Sequence, residues 1–529
     1  MAAATRAPAD PVRRAAHDVL TAVSTRDAYA NLLLSRSLRD SGLTGPDAAL
    51  ATELVYGTLR HRGSYDAIIG LCADRRLDQI DPAVLDALRM GTHQLLGMRI
   101  KPHAAVATTV DLAVAVAGRR PAGFVNAVLR RIAPRDLESW LAIAAPDWTL
   151  DPVGHLAVTR SHPRWIITAL AEALGEDIDG PLEQTQAALA ADDTRPVVHL
   201  AAAPGRASQA ELVGAGAVAA AWSPYGAYLP HGDPGRIPAV AEGRAGVQDE
   251  ASQLAALALV RAARTTAGSA SGDPLSPERA TAGRAMADRT KAGHLSGHRL
   301  SSGRAAAGRA AVCSSGEPSA AGRGPAGERP QRWLDLCAGP GGKTRLLAGL
   351  AAEQGAKLLA SDLHQHRAKL TARAITGTGD SGSTAVVTAD GLAPPWRPES
   401  FDLVLADVPC SGLGSLRRRP EARWRRTEQD VVALGGLQRG LLTAAIAAAR
   451  PGGVIGYLTC SPHLAETVAV VDDVLAAHDE VVALDAPALL AEVPELRCPP
   501  PYEQYAQFWP HRHGTDAIFV AILRKSRTA

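Results

Sequence analysis

Cys410 and Cys460 each follow a short apolar run and each precede a serine, in Asp407-Val-Pro-Cys410-Ser and Leu-Thr-Cys460-Ser. A cysteine buried for packing is common. A cysteine just past a strand end, beside a carboxylate and a glycine-rich turn, reads instead as an active-site thiol whose thiolate is a nucleophile. Pyrimidine chemistry calls for such a group. C5 of cytosine is a poor nucleophile, and a thiolate adding to C6 turns the ring into an enamine that attacks an electrophilic methyl group at C5. Protonation at N3 assists the addition, and Asp407 stands where it can supply that proton or hold N3 and the amino group. A base must then remove the C5 proton so that the thiolate can leave.

The turn itself is LDLCAGPGGKT, residues 334–344. Gly339, Gly341 and Gly342 permit close approach of a ligand to the backbone, and the helix that starts near Lys343 points its free N–H groups at an anionic group. A phosphate-binding P-loop would need glycine at 337, and that residue is Cys337. Further along, LLASD ends at Asp362 and VVTAD at Asp390. Each aspartate alone could cap a helix. Together, a carboxylate at the second strand tip for ribose hydroxyls and one at the third for an adenine amino group describe an adenosine pocket without a phosphate requirement. Beyond Cys410 come Arg417, Arg418, Arg419, Arg423, Arg425 and Arg426, with Trp424 among them. At a site mouth this run suits phosphate contacts and base stacking, the alternative being a solvated charge run.

The elements that must position these residues follow from periodicity. From Trp333 onward the runs WLDLC, KLLASD, AVVTAD, FDLVLAD, GVIGYLTC, EVVAL and AIFVAIL alternate with helix-length segments. This predicts a doubly wound, mainly parallel sheet with its ligands beyond the carboxyl ends of the strands. Residues 11–134 repeat apolar positions at helical spacing and predict an all-α domain. Arg60, His61, Arg62, Arg130 and Arg131 form its candidate basic edge. Residues 141–240 are mixed, with a helix at 163–174 and a strand at 196–201, and predict a small α+β connector. Residues 265–330 are rich in Gly, Ser, Ala and Arg and nearly free of large apolar side chains, so a disordered insertion is expected there. The chain is thus multidomain: 1–140 helical, 141–240 connector, and 241–529 an α/β domain carrying the insertion.

Composition narrows the function classes. With 529 residues, 46% of them hydrophobic, the chain exceeds one core, and its net charge of +2 confines any nucleic-acid surface to local patches. Six lysines against fifty arginines make any single arginine weak evidence. The six cysteines include no C-x-x-C pair and no zinc spacing, so free thiols, a reducing cytoplasm and no metal are expected. Neither a signal-peptide pattern at the start nor a transmembrane-length apolar run is read in the sequence.

At this point the motifs converge. GVQDEASQL (246–254), LDLCAGPGGKT, DLHQHRAKL (362–370), TADG (388–391), DVPCSGLGSLRRRPEARW (407–424), YLTCSPHLAE (457–466) and HRHGTDAIFVA (511–521) resemble the Fmu/RsmB (Sun-type) 16S rRNA cytosine-5 methyltransferases. The helical part resembles the NusB-type RNA-binding fold through LVYGTLRHR (54–62), LRMGTHQLL (88–96) and GFVNAVLRRI (123–132). The resemblance covers nearly the whole chain except 265–330, and relatives often carry Ala where Gly339 stands. It implies a Rossmann-like class I methyltransferase domain. In it S-adenosyl-L-methionine is bound by Cys337, Ala338, Gly339, Pro340, Gly341, Gly342 and Lys343, with Asp362, Asp390 and Asp407. It further implies that Cys460 is the nucleophile, that Cys410 assists product release, and that the partner is 16S rRNA, met in the cytoplasm by a monomer. The alternatives are another RNA such as tRNA, a DNA-type enzyme using its Pro-Cys loop, and a non-catalytic antitermination factor that would leave both thiols idle.

Overall fold

The computed structural model describes residues 10–26, 28–98, 100–268, 329–376 and 383–527. The first body is helical, running from Pro11–Arg26 through Gly45–Arg60, Arg62–Cys72, Pro82–Leu96 and Pro102–Ala117 to Ala122–Ile132 and Leu137–Ala144. Local chemistry sets its boundaries. Asp81 accepts from the N–H groups of Ala83 and Val84 with Pro82 in the first turn, and Asp136 accepts from Ser139 N. The apolar stripes meet in one core around Leu54, Ile68, Ile69, Leu88, Met90 and Leu129. Trp140 closes it, its Nε1 donating to Ile132 O.

The connector is less independent than its composition suggests. Its strands β1 (Val198–Ala202), β2 (Val218–Ala219), β3 (Gly226–Leu229) and β4 (Ala245–Val247) form an antiparallel sheet in the order β2-β3-β1-β4. The boundary expected at 240 therefore falls inside this sheet. Its helices, including Pro152–Thr159 and Arg164–Leu174, share a core with Leu413, Leu416 and Trp509 of the third body.

That third body is the expected twisted sheet. Its strands are β5 (Arg332–Asp335), β6 (Lys357–Asp362), β7 (Thr384–Thr388), β8 (Phe401–Asp407), β9 (Ala449–Thr459), β10 (Val481–Ala483), β11 (Ala506–Gln507) and β12 (Phe519–Lys525). The order is β10-β12-β9-β8-β5-β6-β7, with β11 paired to β12. Strands β5 to β9 run parallel, whereas β12 is antiparallel to β9 and β10 to β12. Helices Glu250–Gly268 and Gly342–Glu353 cover one face, and Glu428–Ala448 and Val468–Leu475 the other. Glu428–Ala448 begins in a capping box of Thr427 and Asp430. Among the described residues it alone has the length and apolarity to cross a membrane, and its Leu441, Leu442, Ala445 and Ile446 are in the core. Of the segment expected to be disordered, 265–268 belong to the helix Glu250–Gly268, and 269–328 lie outside the described residues.

The arginine run is the main correction. Arg423 is 0% exposed, and its Nη1 donates to Arg60 O, Ser161 O and Asp193 Oδ1 at 2.9, 3.3 and 2.9 Å. Trp424 packs under Gly63, where Arg62 lies over the indole at 5.7 Å, and Glu421 accepts from Ala30 N. Arg418 is bound by Asp249 and Asp516, and Arg417 donates to Gly514 O. Arg417 and Arg423 are therefore buried in the joints between bodies and do not face RNA, while Arg418 and Trp424, half-buried, also make contacts across those joints. The same docking takes Arg60 and Arg62 out of the expected basic edge, and burial lowers the His61 pKa to about 4. Arg130 and Arg131 stay exposed.

Removing one partner of a buried charge strands the other. Arg423→Ala is expected to destabilise the protein by about 3 kcal/mol in urea unfolding. Arg423→Lys should fail to rescue it, since the shorter lysine chain does not carry its ammonium to the position of Nη1, the nitrogen that makes all three contacts.

Candidate active site

The order of the sheet reverses at β5, which has β6 on one side and β8 on the other, so a crevice opens beyond the strand ends there. The predicted catalytic and donor-binding residues lie at or just past strand ends along this edge. After β5 the chain turns through Cys337, Ala338, Gly339, Pro340 and Gly341 into the helix Gly342–Glu353, with Gly341 N donating to Ala338 O at 2.8 Å. Gly341 has φ +105°, and a Cβ on it would stand 2.8 Å from Ala374 Cβ. A Cβ on Gly339 would meet Asp362 Oδ2 at 2.4 Å and Arg367 Nε at 2.7 Å. Crowding thus explains glycine at 339 in this chain.

The carboxylates divide by environment. Asp362, at the end of β6, accepts from Gly339 N at 3.0 Å and His364 N at 2.9 Å and pairs with Arg367 Nε at 3.2 Å. Arg367 also donates to Gly339 O and is a site residue the sequence reading missed. Asp390 lies just past β7, exposed, accepting from Leu392 N. Asp407, at the end of β8, accepts from Lys343 Nζ at 2.9 Å. Burial disfavours the Lys343 ammonium, but the charge and hydrogen bond of Asp407 outweigh it and hold its pKa above the usual value. Beneath them Asp335 accepts from Thr344 Oγ1, and burial pushes its pKa up to about 7. Burial likewise raises the Cys337 thiol, which stays protonated.

The two predicted thiols come together. Cys410 Sγ and Cys460 Sγ are 3.1 Å apart. The hydrogen bond from Cys410 lowers the pKa of Cys460 against burial and the charge of Asp407, with Lys343 and Arg419 assisting. That same bond, together with burial and the charges of Cys460 and Glu466, raises Cys410. The loops are held by residues the sequence reading did not single out. Glu466 accepts from Ser411 N at 2.7 Å, from the Ser411 hydroxyl, and from Gln438 Nε2 at 3.1 Å. Gln438 also donates to Pro409 O. Gly414 N donates to Cys460 O at 2.8 Å, and a Cβ on Gly414 would stand 1.9 Å from Ala517 O. Glu466 and Gly414 carried a signal, as members of the YLTCSPHLAE and DVPCSGLGSLRRRPEARW stretches, and Gln438 carried none.

Comparison with known proteins settles what kind of chain builds this site. A family model described as 16S rRNA methyltransferase RsmB/F matches residues 326–524, and the NusB family model matches 10–134. A Mycobacterium tuberculosis protein bearing the name methyltransferase is 47% identical over 522 residues, 98% of each chain. The chain belongs to the RsmB/F family of rRNA methyltransferases. The ribosomal RNA small subunit methyltransferase B of Pseudomonas putida is 29% identical over 526 residues, 97% of this chain and 98% of its own. The crystal structure of PH0851 shares the fold, with TM-score 0.69 at 19% identity over 98% of this chain and 100% of its own. Among the described residues of this RsmB/F chain, no group of three or more His, Cys, Asp or Glu side chains could hold a metal ion.

Asp335 gives the site a pH signature. Its folded pKa of about 7 exceeds the ordinary 3.8, so the folded state binds the proton more tightly. The stability this contributes is full below about pH 4 and is lost as pH rises through about 7. Asp335→Asn removes the dependence, so its stability relative to the parent should rise by roughly 2–3 kcal/mol from pH 5 to pH 8 in urea titrations.

Proposed function

We propose that the protein transfers a methyl group from S-adenosyl-L-methionine to C5 of a cytosine in 16S rRNA, through a covalent bond between Cys460 and C6 of the base. The observation that carries this reading is the pair of thiols 3.1 Å apart at adjacent strand ends, beside the ion pair of Lys343 and Asp407. The reducing cytoplasm expected of free thiols suits an rRNA substrate.

The cradle fits the donor. The crowding at Gly339 and Gly341 keeps side chains out of the turn, leaving backbone from Cys337 to Lys343 to line it. Asp362 and Asp390 offer carboxylates to a ribose and an adenine, and Arg367 steadies Asp362. When bound, the donor supplies an electrophilic methyl group. The chain's own groups do the rest. Cys460, favoured as thiolate by Lys343 and by the Cys410 thiol, adds to C6. Asp407 accepts from the amino group and, once N3 has taken a proton from water as Cys460 adds, from N3–H as well, with Lys343 fixing its orientation. Once C5 is methylated, a water molecule takes its proton to solvent, the C5–H electron pair re-forms the C5–C6 double bond and expels Cys460 as thiolate, and Cys410 assists by donating its S–H to the departing sulfur. The helical domain, Arg419, Arg425 and Arg426 are the proposed RNA contacts, Arg419 being exposed beside the loop.

Gel electrophoresis of thiol variants with rRNA and S-adenosyl-L-methionine tests the reading. Cys460→Ala should abolish transfer and give no covalent RNA adduct. Cys410→Ala should still attack and methylate but stall, accumulating a denaturant-resistant protein–RNA species. An adduct with Cys460→Ala and none with Cys410→Ala would reverse the two roles and favour the DNA-type Pro-Cys mechanism.

A further inference from the structure

Gln248 is a buried polar side chain with no partner. It follows β4, and its backbone is fixed on both sides: its N–H donates to His199 O at 3.0 Å and its carbonyl accepts from Gln253 Nε2 at 3.0 Å. Its neighbour Asp249 is held by Arg418 Nη2 at 2.7 Å and by Asp516 N at 3.2 Å. Yet the Gln248 side chain, in a residue 7% exposed, leaves both Nε2 and Oε1 without a hydrogen bond. A buried carboxamide left unpaired is costly, so a rigidly placed one is best explained by a ligand that completes it.

Its position indicates which ligand. Gln248 Cγ and Cδ lie 3.9 Å from the point where a Cβ on Gly342 would stand. Gly342 opens the twelve-residue helix Gly342–Glu353 directly after the glycine-rich turn. The first N–H groups of a helix have no partner within it and attract an anion, a carboxylate included. Lys343, the cation of that first turn, is engaged by Asp407 and is not free to take this anion. A carboxamide has one donating and one accepting face, so the ligand it matches carries an acceptor and a donor side by side. The zwitterionic end of an α-amino acid has both.

We infer that Gln248 binds the amino-acid end of the methyl donor, Nε2 donating to its carboxylate and Oε1 accepting from its ammonium group. This rests on the proposed use of S-adenosyl-L-methionine. It makes the connector part of the donor site: the short β4 strand brings Gln248 over the turn that the large sheet builds.

The test compares two ligands on the full-length protein by calorimetry. S-Adenosylhomocysteine keeps the amino-acid end, and 5′-deoxy-5′-methylthioadenosine lacks it. Gln248→Met keeps the length of the side chain and removes both hydrogen-bonding atoms. It should weaken S-adenosylhomocysteine about 10- to 100-fold while leaving methylthioadenosine within about twofold, and that unchanged binding also reports an intact fold. Gln248→Glu should weaken S-adenosylhomocysteine at least as much, since it sets a carboxylate against a carboxylate. Unchanged S-adenosylhomocysteine affinity in Gln248→Met, or equal weakening of both ligands, would overturn the inference while leaving the donor assignment standing. If the parent protein bound neither ligand, the donor assignment itself would fall, and the inference with it.

Discussion

A guanidinium with no exposure to water is an unusual thing for a fold to depend on, and Arg423 is one. Withdrawing a full charge from solvent is tolerable only where acceptors surround it. Here three acceptors converge on Nη1, leaving Nε and Nη2 unpartnered, and they come from the end of the helix Gly45–Arg60, the loop at Ser161, and Asp193 after the connector helices. The chain that carries Arg423 is the continuation of the Cys410 loop, and Arg426 of the same segment donates to Ser411 O. Docking of the helical domain and the shape of the thiol loop are therefore one structural problem. The helical domain is not a detachable RNA handle, because removing it would uncover Arg423, Trp424 and Glu421 together and release the loop they anchor.

Charge also organises the crevice around Lys343. Lys343 is the ammonium at the bottom of the site, and three groups compete for it: Asp407 in direct contact, Cys460 nearby, and Asp335 beneath. Three full anions around one cation would be unstable in a buried space. Burial resolves the competition at Asp335, which carries its proton up to about pH 7 and donates nothing to the negative total below it. Asp407 then remains as the fixed anion, and Lys343 has charge left to share with a thiolate.

What the sequence made legible was whatever depended on neighbours in the chain. Apolar runs ending in Asp362, Asp390, Asp407 and Cys460 located the strands and their tips, because a strand's burial is written in consecutive residues. The glycine turn was legible because its conformation needs residues without a Cβ. The arginine run was not, since composition cannot distinguish a solvated charge from one buried against partners 230 to 363 residues away. The end of the connector was missed for a related reason: β4 is the three residues Ala-Gly-Val, too short for a pattern, and only its pairing with β1 makes it a strand. Gln438 stands in the sequence as an ordinary polar residue, and Glu466 and Gln248 are marked only as members of the YLTCSPHLAE and GVQDEASQL stretches. Their importance lies in being buried beside loops that the fold brings together.

In the proposed mechanism those loops also decide which sulfur acts as nucleophile. Two thiols in hydrogen-bond contact can hold one negative charge between them far more easily than two, so the first ionisation suppresses the second. Which sulfur takes the charge depends on what faces each. Cys460 accepts the hydrogen bond of Cys410 and has the positive charges of Lys343 and Arg419 on its side against the carboxylate of Asp407, whereas Cys410 has the carboxylate of Glu466, whose grip on Ser411 also sets the position of its loop. The charge therefore settles on Cys460, and Cys410 keeps its proton and points it at the partner sulfur. Addition of Cys460 to a base consumes that charge and removes the acceptor from the Cys410 thiol. Cys410 is then a neutral thiol in a loop held by Glu466, next to the sulfur that must leave. In this reading an identical pair of side chains is divided into nucleophile and helper first by the hydrogen bond between them, with the surrounding charges adjusting the balance.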